Sequence, residues 1–532
     1  MHEHFQNSEK MDGAKHHYIS GLKGRVQNNL SGFLRVLLVA WLVMLQIGLI
    51  LVLPFMLKNF TVYIYIMLEI ASAIVILKLV NESGSPSYKI AWICIVLILP
   101  ISGHIMYMLW GKSGKKNKLN RRIMNIIEEG HQFAEETTDV RAFYEKRPQH
   151  ARMSKYMSKE GFPLYKNNEI TYFPMGEDAF EKMFEDLEAA EHFILINFFI
   201  VAEGALWDQM HEILLRKKKQ GVEIKFMYDD FGATIRTNKY FSQKLKNEGI
   251  EVRIFNPIHK YTEKLYMNFR SHQKIVVIDG NIGYTGGFNL ADEYANLVQR
   301  FGTWKDNGIR IEGEGVYGMT QIFLSMWEVC GLKSEIDYSR YMPTKKFPEN
   351  DVYCHIVADG PANNPSNPIE NLYQQMIDRA ESYLYIMTPY LIIEKNMVDA
   401  LATAARSGVD VRVITPGIPD KKGVKRLTEY NYGELLKAGV RVFEYAPGFI
   451  HAKTILNESC SIIGTANMDY RSFYLHYENI AWISDQDTVG VIRQDFDKTF
   501  QECREISLEE WRKRPVYLKL YQHVLNLFAT LM

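Results

Sequence analysis

Two short segments of the chain repeat one pattern of chemically active residues. Each has a histidine two positions before a lysine, then a short apolar run, then Gly-X-X-Asn. The matched residues are His272, Lys274 and Asn289 in the first segment and His451, Lys453 and Asn467 in the second. Because the duplication is hard to explain by packing alone, it predicts two halves of one anion-handling site.

The chemistry that suits these residues is transfer at a phosphodiester. Such a reaction needs a nucleophile or base, a proton for the leaving oxygen, and positive donors around the non-bridging oxygens. The two histidines can supply the first two functions. The two lysines can supply the third, helped by the amides of Asn289 and Asn467. Since the sequence offers no convincing carboxylate cluster for a metal, we expect no metal or other cofactor.

Three carboxylates near these segments have two interpretations each. Asp279 precedes Gly280 where a strand turns, so it could be catalytic or could form an ordinary turn. Glu293 and Glu478 could orient the histidines or could be surface carboxylates. The residue pattern alone leaves these alternatives open.

The same series of elements precedes each histidine. Apolar runs at 192–201, 221–228 and 250–255 predict three strands separated by helical patterns. The runs at 383–390, 408–414 and 440–445 repeat this order. We therefore predict an α/β fold with two fused lobes related by a pseudo-twofold axis and sharing one cleft. The first copy carries an insertion around Ile258–Arg270, a candidate lid or membrane-facing loop.

The first 110 residues differ from the rest in being rich in long apolar stretches. Segments at about 36–57 and 90–110 are long enough to cross a bilayer, whose apolar core is about 30 Å thick. A third segment, at about 62–80, contains Glu69 and could cross the bilayer or lie at its surface. The sequence thus predicts two or three crossings, with three favoured.

A cationic stretch follows the last apolar segment. It holds six cations within Lys112–Arg122, and the positive-inside rule then places the large C-terminal part in the cytoplasm. We therefore expect a multi-pass protein of the cell membrane that contacts lipid. The tail from Val516 has apolar residues at helical spacing and predicts an amphipathic helix, packed on the lobes or lying at the membrane.

These boundaries give a predicted domain order. The predicted segments are a membrane anchor (1–111), a polar linker (112–165), a first lobe (166–345), a second lobe (346–505) and a C-terminal amphipathic helix (506–532).

Composition excludes some classes of protein. Lysine plus arginine and aspartate plus glutamate both total 62, so the chain lacks the basic excess typical of a nucleic-acid binder. Its five cysteines are scattered, which predicts neither a zinc site nor a disulfide framework.

The two His-X-Lys units resemble those of the phospholipase D superfamily, and the surrounding sequence resembles its bacterial cardiolipin synthase branch. The resemblance extends from about residue 33 to 505. Its clearest stretches are Pro86–Trp92, Met227–Gly232, Gly286–Tyr294, Thr388–Ile392, Ile414–Lys422 and Gly464–Ser472.

The resemblance implies that two phosphatidylglycerols condense to cardiolipin with release of glycerol. It assigns His272 to attack on phosphorus, giving a phosphatidyl-histidine, and His451 to acid and base catalysis. Family members usually have Asp seven residues after the histidine, as Asp279 is here, whereas Glu458 stands at the matching position of the second unit. Other readings are a phospholipase D or transphosphatidylase with another acceptor, and a non-catalytic lipid-binding relative.

Overall fold

A computed structural model gives the architecture of the chain. It describes residues 41, 44, 48 and 60–531, with the exception of 83, 112–117, 134–138, 258–267, 332–335 and 362–365. The apolar segment at 36–57 therefore falls outside the described residues, apart from three single positions. Most of the predicted insertion at Ile258–Arg270 also lies outside them.

Strands of the first half of the chain run from residue 164 to 313. They are β1 (Leu164–Tyr165), β2 (Asn168–Phe173), β3 (Phe193–Phe198), β4 (Glu223–Asp229), β5 (Glu251–Phe255), β6 (Arg270–Ser271), β7 (Ile275–Ile278), β8 (Ile282–Gly286), β9 (Thr303–Lys305) and β10 (Gly308–Gly313).

Strands of the second half run from residue 354 to 506. They are β11 (Cys354–Asp359), β12 (Tyr383–Met387), β13 (Leu391–Ile392), β14 (Asp410–Pro416), β15 (Arg441–Tyr445), β16 (Gly448–Ile450), β17 (Thr454–Asn457), β18 (Ser461–Gly464), β19 (Met468–Asp469), β20 (His476–Ile483) and β21 (Cys503–Ile506).

Helices cover the two sheets and form the N-terminal segment. They are α1 (Phe60–Asn81), α2 (Pro86–Ile98), α3 (Ser102–Met106), α4 (Lys118–His131), α5 (Val140–Lys146), α6 (Ala151–Lys159), α7 (Gly176–Glu188), α8 (Ala205–Lys219), α9 (Asp230–Ala233), α10 (Phe241–Asn247), α11 (Val316–Gly331), α12 (Pro368–Asp378), α13 (Lys395–Arg406), α14 (Lys422–Ala438), α15 (Tyr470–Tyr474), α16 (Gln486–Gln501), α17 (Leu508–Arg512) and α18 (Val516–Leu527).

The two sheets share one strand order. The first sheet runs β2-β10-β8-β7-β3-β4-β5, and the second contains the path β11-β20-β18-β17-β12-β14-β15. In both, the central strand (β3 or β12) pairs parallel with one neighbour and antiparallel with the other. β3 is an apolar run buried along its length, as expected of a strand covered on both faces. The duplicated α/β pattern of the sequence therefore corresponds to two lobes of one topology.

Two short parallel strand pairs join the lobes. β6 of the first half pairs with the start of β20, and β16 of the second half pairs with β9. Each pair lies directly before one of the two histidines. The lobe boundary is therefore held by backbone hydrogen bonds at the same place as the candidate site.

The structure does not confirm the membrane crossings predicted for the N-terminal segment. Among the described residues, no helix is both long enough and apolar enough to cross a membrane. The stretch predicted as one helix at 90–110 is interrupted, because α2 ends at Ile98 and α3 begins at Ser102. Pro100 lies in this break and Gly103 packs against the backbone of Ile95, where a Cβ atom would collide.

The predicted linker at 112–165 contains helices. Its described residues include α4, α5 and α6, and α4 packs against α11. Ile123 and Ile126 of α4 are buried in the core between the sheets. This polar stretch thus contributes one apolar face to the packing.

Candidate active site

Both His-X-Lys units lie between two strands rather than within one. His272 follows β6 and His451 follows β16, and a new strand begins after each lysine. The His272 backbone N–H donates to the carbonyl of Tyr477 at 2.8 Å, and that of His451 to the carbonyl of Lys305 at 2.7 Å. Each histidine is therefore positioned by the opposite lobe.

The register of the strand pairs sets a carboxylate beside each imidazole. In the β6–β20 pair Ser271 lies opposite Tyr477, so the next residues along are His272 and Glu478. Nδ1 of His272 lies 2.9 and 3.0 Å from the two carboxylate oxygens of Glu478. Glu478 thus orients a histidine, as one of its two readings predicts.

The other histidine has a matching partner. In the β16–β9 pair Ile450 lies opposite Lys305, which brings His451 level with Asp306. Nδ1 of His451 lies 2.7 Å from Oδ2 of Asp306. Nδ1 of His451 also lies 2.9 Å from Nζ of Lys453. A carboxylate on Nδ1 favours the proton at that nitrogen and leaves the Nε2 lone pair for chemistry.

The sequence prediction did not include Asp306. The sequence nevertheless contains a signal for it, because Lys-Asp-Asn at 305–307 matches Tyr-Glu-Asn at 477–479 within the duplication. The asparagines of the two triplets also correspond: Nδ2 of Asn307 donates to Thr454 at 2.6 Å and Nδ2 of Asn479 donates to Thr285 at 2.7 Å. Both bonds cross between the lobes.

A glycine permits the close approach at this boundary. A Cβ atom on Gly287 would lie 2.0 Å from Oδ1 of Asp306 and 2.8 Å from the carbonyl oxygen of His451. The Gly-X-X-Asn loop of the first lobe therefore packs directly on the histidine of the second.

The two lysines are buried beside their histidines. Nζ of Lys274 donates to the His272 carbonyl at 2.6 Å, and Nζ of Lys453 donates to the His451 carbonyl. Both side chains are about as buried as core residues, with 1% of each residue exposed. Two buried ammonium groups favour an anionic ligand.

Burial shifts the pKa values of all four groups. Burial, together with the nearby lysines, lowers the pKa of His272 well below its usual value and that of His451 to about 4. Burial also lowers the pKa of Lys274 to about 7 and that of Lys453 to about 8, although nearby carboxylates oppose the shift. Because Lys453 and His451 both lower the pKa of His272, the two half-sites are electrostatically coupled.

The two asparagines differ in their contacts. Oδ1 of Asn289 accepts from the Ile200 N–H at 3.0 Å, and its amide is also hydrogen-bonded to the Tyr294 hydroxyl. Nδ2 of Asn467 donates to Asp469 at 3.1 Å. Each amide carries two N–H bonds, so one of them could still donate to a phosphate oxygen.

Asp279 and Glu458 bind the backbone instead of the histidines. The carboxylate of Asp279 accepts N–H bonds of 2.7–2.8 Å from residues 191–193, at the start of β3. Glu458 accepts N–H bonds of 2.9–3.4 Å from residues 381–383, at the start of β12. Each carboxylate therefore fixes a turn, which is one of the two interpretations that the sequence leaves open for Asp279, and Glu458 makes the same bonds with its longer side chain.

Glu293 is engaged by arginines. It forms ion pairs with Arg236 and, at 3.5 Å, with Arg300. Of the two interpretations left open for Glu293, the structure shows neither a histidine contact nor an exposed surface position, because the residue is buried in a local charge cluster.

A third imidazole adjoins the site. The rings of His272 and His476 are 5.3 Å apart, and Nδ1 of His476 lies 3.5 Å from Glu478. These three residues form a group that could hold a metal ion, since their ligand atoms all lie within 4.8 Å of one another. The sequence reading did not find this group because His476 precedes Glu478 outside the repeated pattern.

Comparison with known proteins identifies the family. A family model described as "Cardiolipin synthase, PLD-like domain" matches residues 183–327 and 373–500. A second, described as "Phospholipase_D-nuclease N-terminal", matches residues 70–112. Both lobes and part of the N-terminal segment are therefore recognised separately.

Individual relatives agree with the family models. A protein of Streptococcus mutans, named only as uncharacterized, is 36% identical over 86% of this chain and 99% of its own length. A cardiolipin synthase of Geobacillus kaustophilus is 31% identical over 85% of this chain and 90% of its own length. The crystal structure of a phosphatidylserine synthase of Haemophilus influenzae shares the fold, with a TM-score of 0.55 at 14% identity over 72% of this chain and 98% of that one.

Two lobes of one topology, joined at paired His-X-Lys units, define a phospholipase D-like fold. Within that class, the chain belongs to the cardiolipin synthase family.

Proposed function

We propose that the protein is a phosphatidyltransferase that converts two phosphatidylglycerols into cardiolipin and glycerol. The observation that carries this proposal is the pair of histidines, each held by a carboxylate of the other lobe. Family membership supplies the substrate class, because the relatives that match over most of the chain are named cardiolipin synthases.

In the first half-reaction, Nε2 of His272 attacks the phosphorus of one phosphatidylglycerol. A P–N bond forms, the bond to the headgroup glycerol breaks, and His451 donates a proton to the departing glycerol oxygen. Glu478 retains the Nδ1 proton of His272 by its hydrogen bond and so compensates the positive charge that develops on the ring.

In the second half-reaction, a second phosphatidylglycerol replaces the glycerol. His451 takes the proton of its headgroup hydroxyl, the oxygen attacks phosphorus, and the P–N bond breaks to give cardiolipin and free His272. The phosphodiester adds negative charge beside Lys274 and Lys453, which raises the pKa of His451 and favours its role as an acid.

Phosphate binding is assigned to the remaining polar groups. Lys274, Lys453 and the amide of Asn289 would donate to the non-bridging oxygens, with Asn467 completing the set. We assign Asp279 and Glu458 to holding the turns that position the histidine strands.

We further propose a multi-pass membrane protein with cytoplasmic lobes and no nucleic-acid partner. The family match at residues 70–112, the apolar segments and the cationic run at 112–122 support the anchor. The proposed domain order is an anchor up to residue 111, lobes at 166–345 and 346–505, and a C-terminal helical segment.

The test uses the purified full chain with phosphatidylglycerol vesicles. We expect cardiolipin and glycerol in equal amounts, with no activity in His272→Ala or His451→Ala. Release of phosphatidic acid in place of cardiolipin would identify water as the acceptor and contradict the transferase assignment. Unchanged turnover in either variant would contradict the shared site.

A further inference from the structure

Helix α18 carries a stripe of exposed apolar side chains. The exposed fractions are 80% for Val516, 76% for Tyr517, 66% for Leu520, 49% for Tyr521 and 52% for Val524. Residues at this spacing lie on one face of a helix. Leu518 and Leu525 of the same helix are partly covered.

The orientation of α18 is fixed by its other face. Gln522 is fully buried, donates to Glu429 of α14 at 3.2 Å, and accepts from Arg514. Arg514 stacks 3.8 Å over the ring of Trp511, whose Nε1 donates to the Glu429 carbonyl. Because these contacts anchor the helix, the stripe points away from the lobe.

The stripe adjoins the N-terminal helices. α18 and the turn Ala529–Leu531 both pack against α2, and Leu531 contacts the small apolar cluster around Trp92. α2 itself exposes Leu97 and Ile98, and α1 exposes further apolar side chains along its length. The exposed face of α18 therefore continues an apolar surface made by the segment that precedes the lobes.

The charged side chains of α18 and of the turn before it are cations, although Lys513 pairs with Glu509 at 2.7 Å and Glu429 accepts from Gln522. Between Trp511 and Leu531 the chain has four cations and no acidic residue. Two tyrosines within the stripe and Lys519 among them give the composition typical of helices at a membrane surface. Such a surface is complementary to anionic headgroups.

We infer that the exposed face of α18 is a membrane-contact surface, occupied by the headgroup–acyl boundary of an anionic bilayer. It lies apart from the histidine site and adds a lipid contact in the last 20 residues of the chain to those expected of the N-terminal segment. The contact would hold the second lobe against the bilayer beside the N-terminal segment.

The test is photolabelling of the full chain by lipid. The protein is placed in phosphatidylglycerol–phosphatidylcholine vesicles that contain a phospholipid with a diazirine near its headgroup. After irradiation, labelled peptides are mapped by mass spectrometry. We expect label within residues 516–524, reduced at least several-fold in Leu520→Asp/Val524→Asp and in vesicles of phosphatidylcholine alone.

A matched control is Val491 of α16, a single exposed valine with 48% of its surface accessible. Its peptide should carry no label, and Val491→Asp should leave the labelling of α18 unchanged. The labelling of His272→Ala should equal that of the wild type, which separates this inference from catalysis. Absence of label in wild-type α18 would overturn it.

Discussion

Oδ2 of Asp306 lies 2.7 Å from Nδ1 of His451, although the two residues come from different lobes. Glu478 stands in the same relation to His272 with the roles of the lobes exchanged. Neither half of the site is complete in its own lobe. Each strand pair that closes the boundary delivers its carboxylate across it, and the influence of Lys453 and His451 on the pKa of His272 connects the two half-sites.

The first prediction concerns Asp306. Replacing it by asparagine keeps an acceptor for Nδ1 but removes the charge that stabilises imidazolium on His451. We expect Asp306→Asn to lower kcat by about 10²-fold or more, the scale of general acid–base catalysis, with little change in KM. Steady-state formation of cardiolipin measures the effect.

Asp495 provides the matched control. Asp495 is also buried, and its carboxylate accepts from Nζ of Lys305 at 2.8 Å. Lys305 directly precedes Asp306 in the chain. The other partner of Asp495 is the Tyr172 hydroxyl. Asp495→Asn should retain most of kcat. Equal losses in the two variants would show that any buried carboxylate at this boundary is needed for folding, not for orienting the imidazole.

The second prediction concerns pH. Lys274 and Lys453 bind phosphate only when protonated, and their pKa values of about 7 and about 8 are lowered by burial. Protonation is complete below these values and lost above them, so kcat/KM should fall as pH rises through 7–8. A bound phosphate raises both pKa values, so kcat should fall only at higher pH.

Lys274→Arg tests the assignment of this alkaline limb. A guanidinium stays protonated throughout the range, so the fall in kcat/KM should move to higher pH. If kcat/KM of the variant falls at the same pH as that of the wild type, the fall is caused by the titration of another group.

The third prediction concerns Glu458. Since its carboxylate caps backbone N–H groups at the start of β12, Glu458→Gln should lower the free energy of unfolding by about 1–2 kcal/mol. The kcat of Glu458→Gln and of Glu458→Asp should stay close to wild type well below the melting temperature. Thermal unfolding and steady-state rates check the two parts, and a large gain of rate in Glu458→Asp would instead indicate a direct catalytic role.

Much of this site follows from sequence. The repeated His-X-Lys units and the order of the strands predict two lobes with one cleft. The sequence does contain a signal for Asp306, because Lys-Asp-Asn parallels Tyr-Glu-Asn. Its partner cannot be read from the sequence, because Asp306 bonds His451, which is 145 residues away. Only the register of β9 against β16 selects it from the other carboxylates.

Other features depend on tertiary contacts that periodicity does not encode. The sequence of α4 is mostly polar, yet its Ile123 and Ile126 are buried in the core where α4 packs against α11. The interruption between α2 and α3 follows from Pro100 together with the close packing of Gly103. The exposed face of α18 is set by the buried Gln522, a residue that sequence rules place at a surface.

The fourth prediction concerns metal ions. His272, His476 and Glu478 could together hold a metal ion, but Nδ1 of His272 already bonds Glu478, and two lysines supply positive charge for the phosphate. We expect cardiolipin formation to be unchanged in EDTA. Loss of activity in EDTA, restored by one added divalent cation in wild type but not in His476→Gln, would assign a required metal to this group.

The last prediction separates the two histidines. A phosphatidyl ester of p-nitrophenol has a leaving group that needs no proton, so it removes the requirement for the acid but not for the nucleophile. We expect His451→Ala to release nitrophenol in a burst of one equivalent per enzyme and then to stall, because the acceptor hydroxyl is not deprotonated. His272→Ala should give no burst. Mass spectrometry of the stalled variant should detect an acid-labile phosphatidyl group on His272, which would identify the intermediate. A burst seen only in His272→Ala would exchange the two assignments.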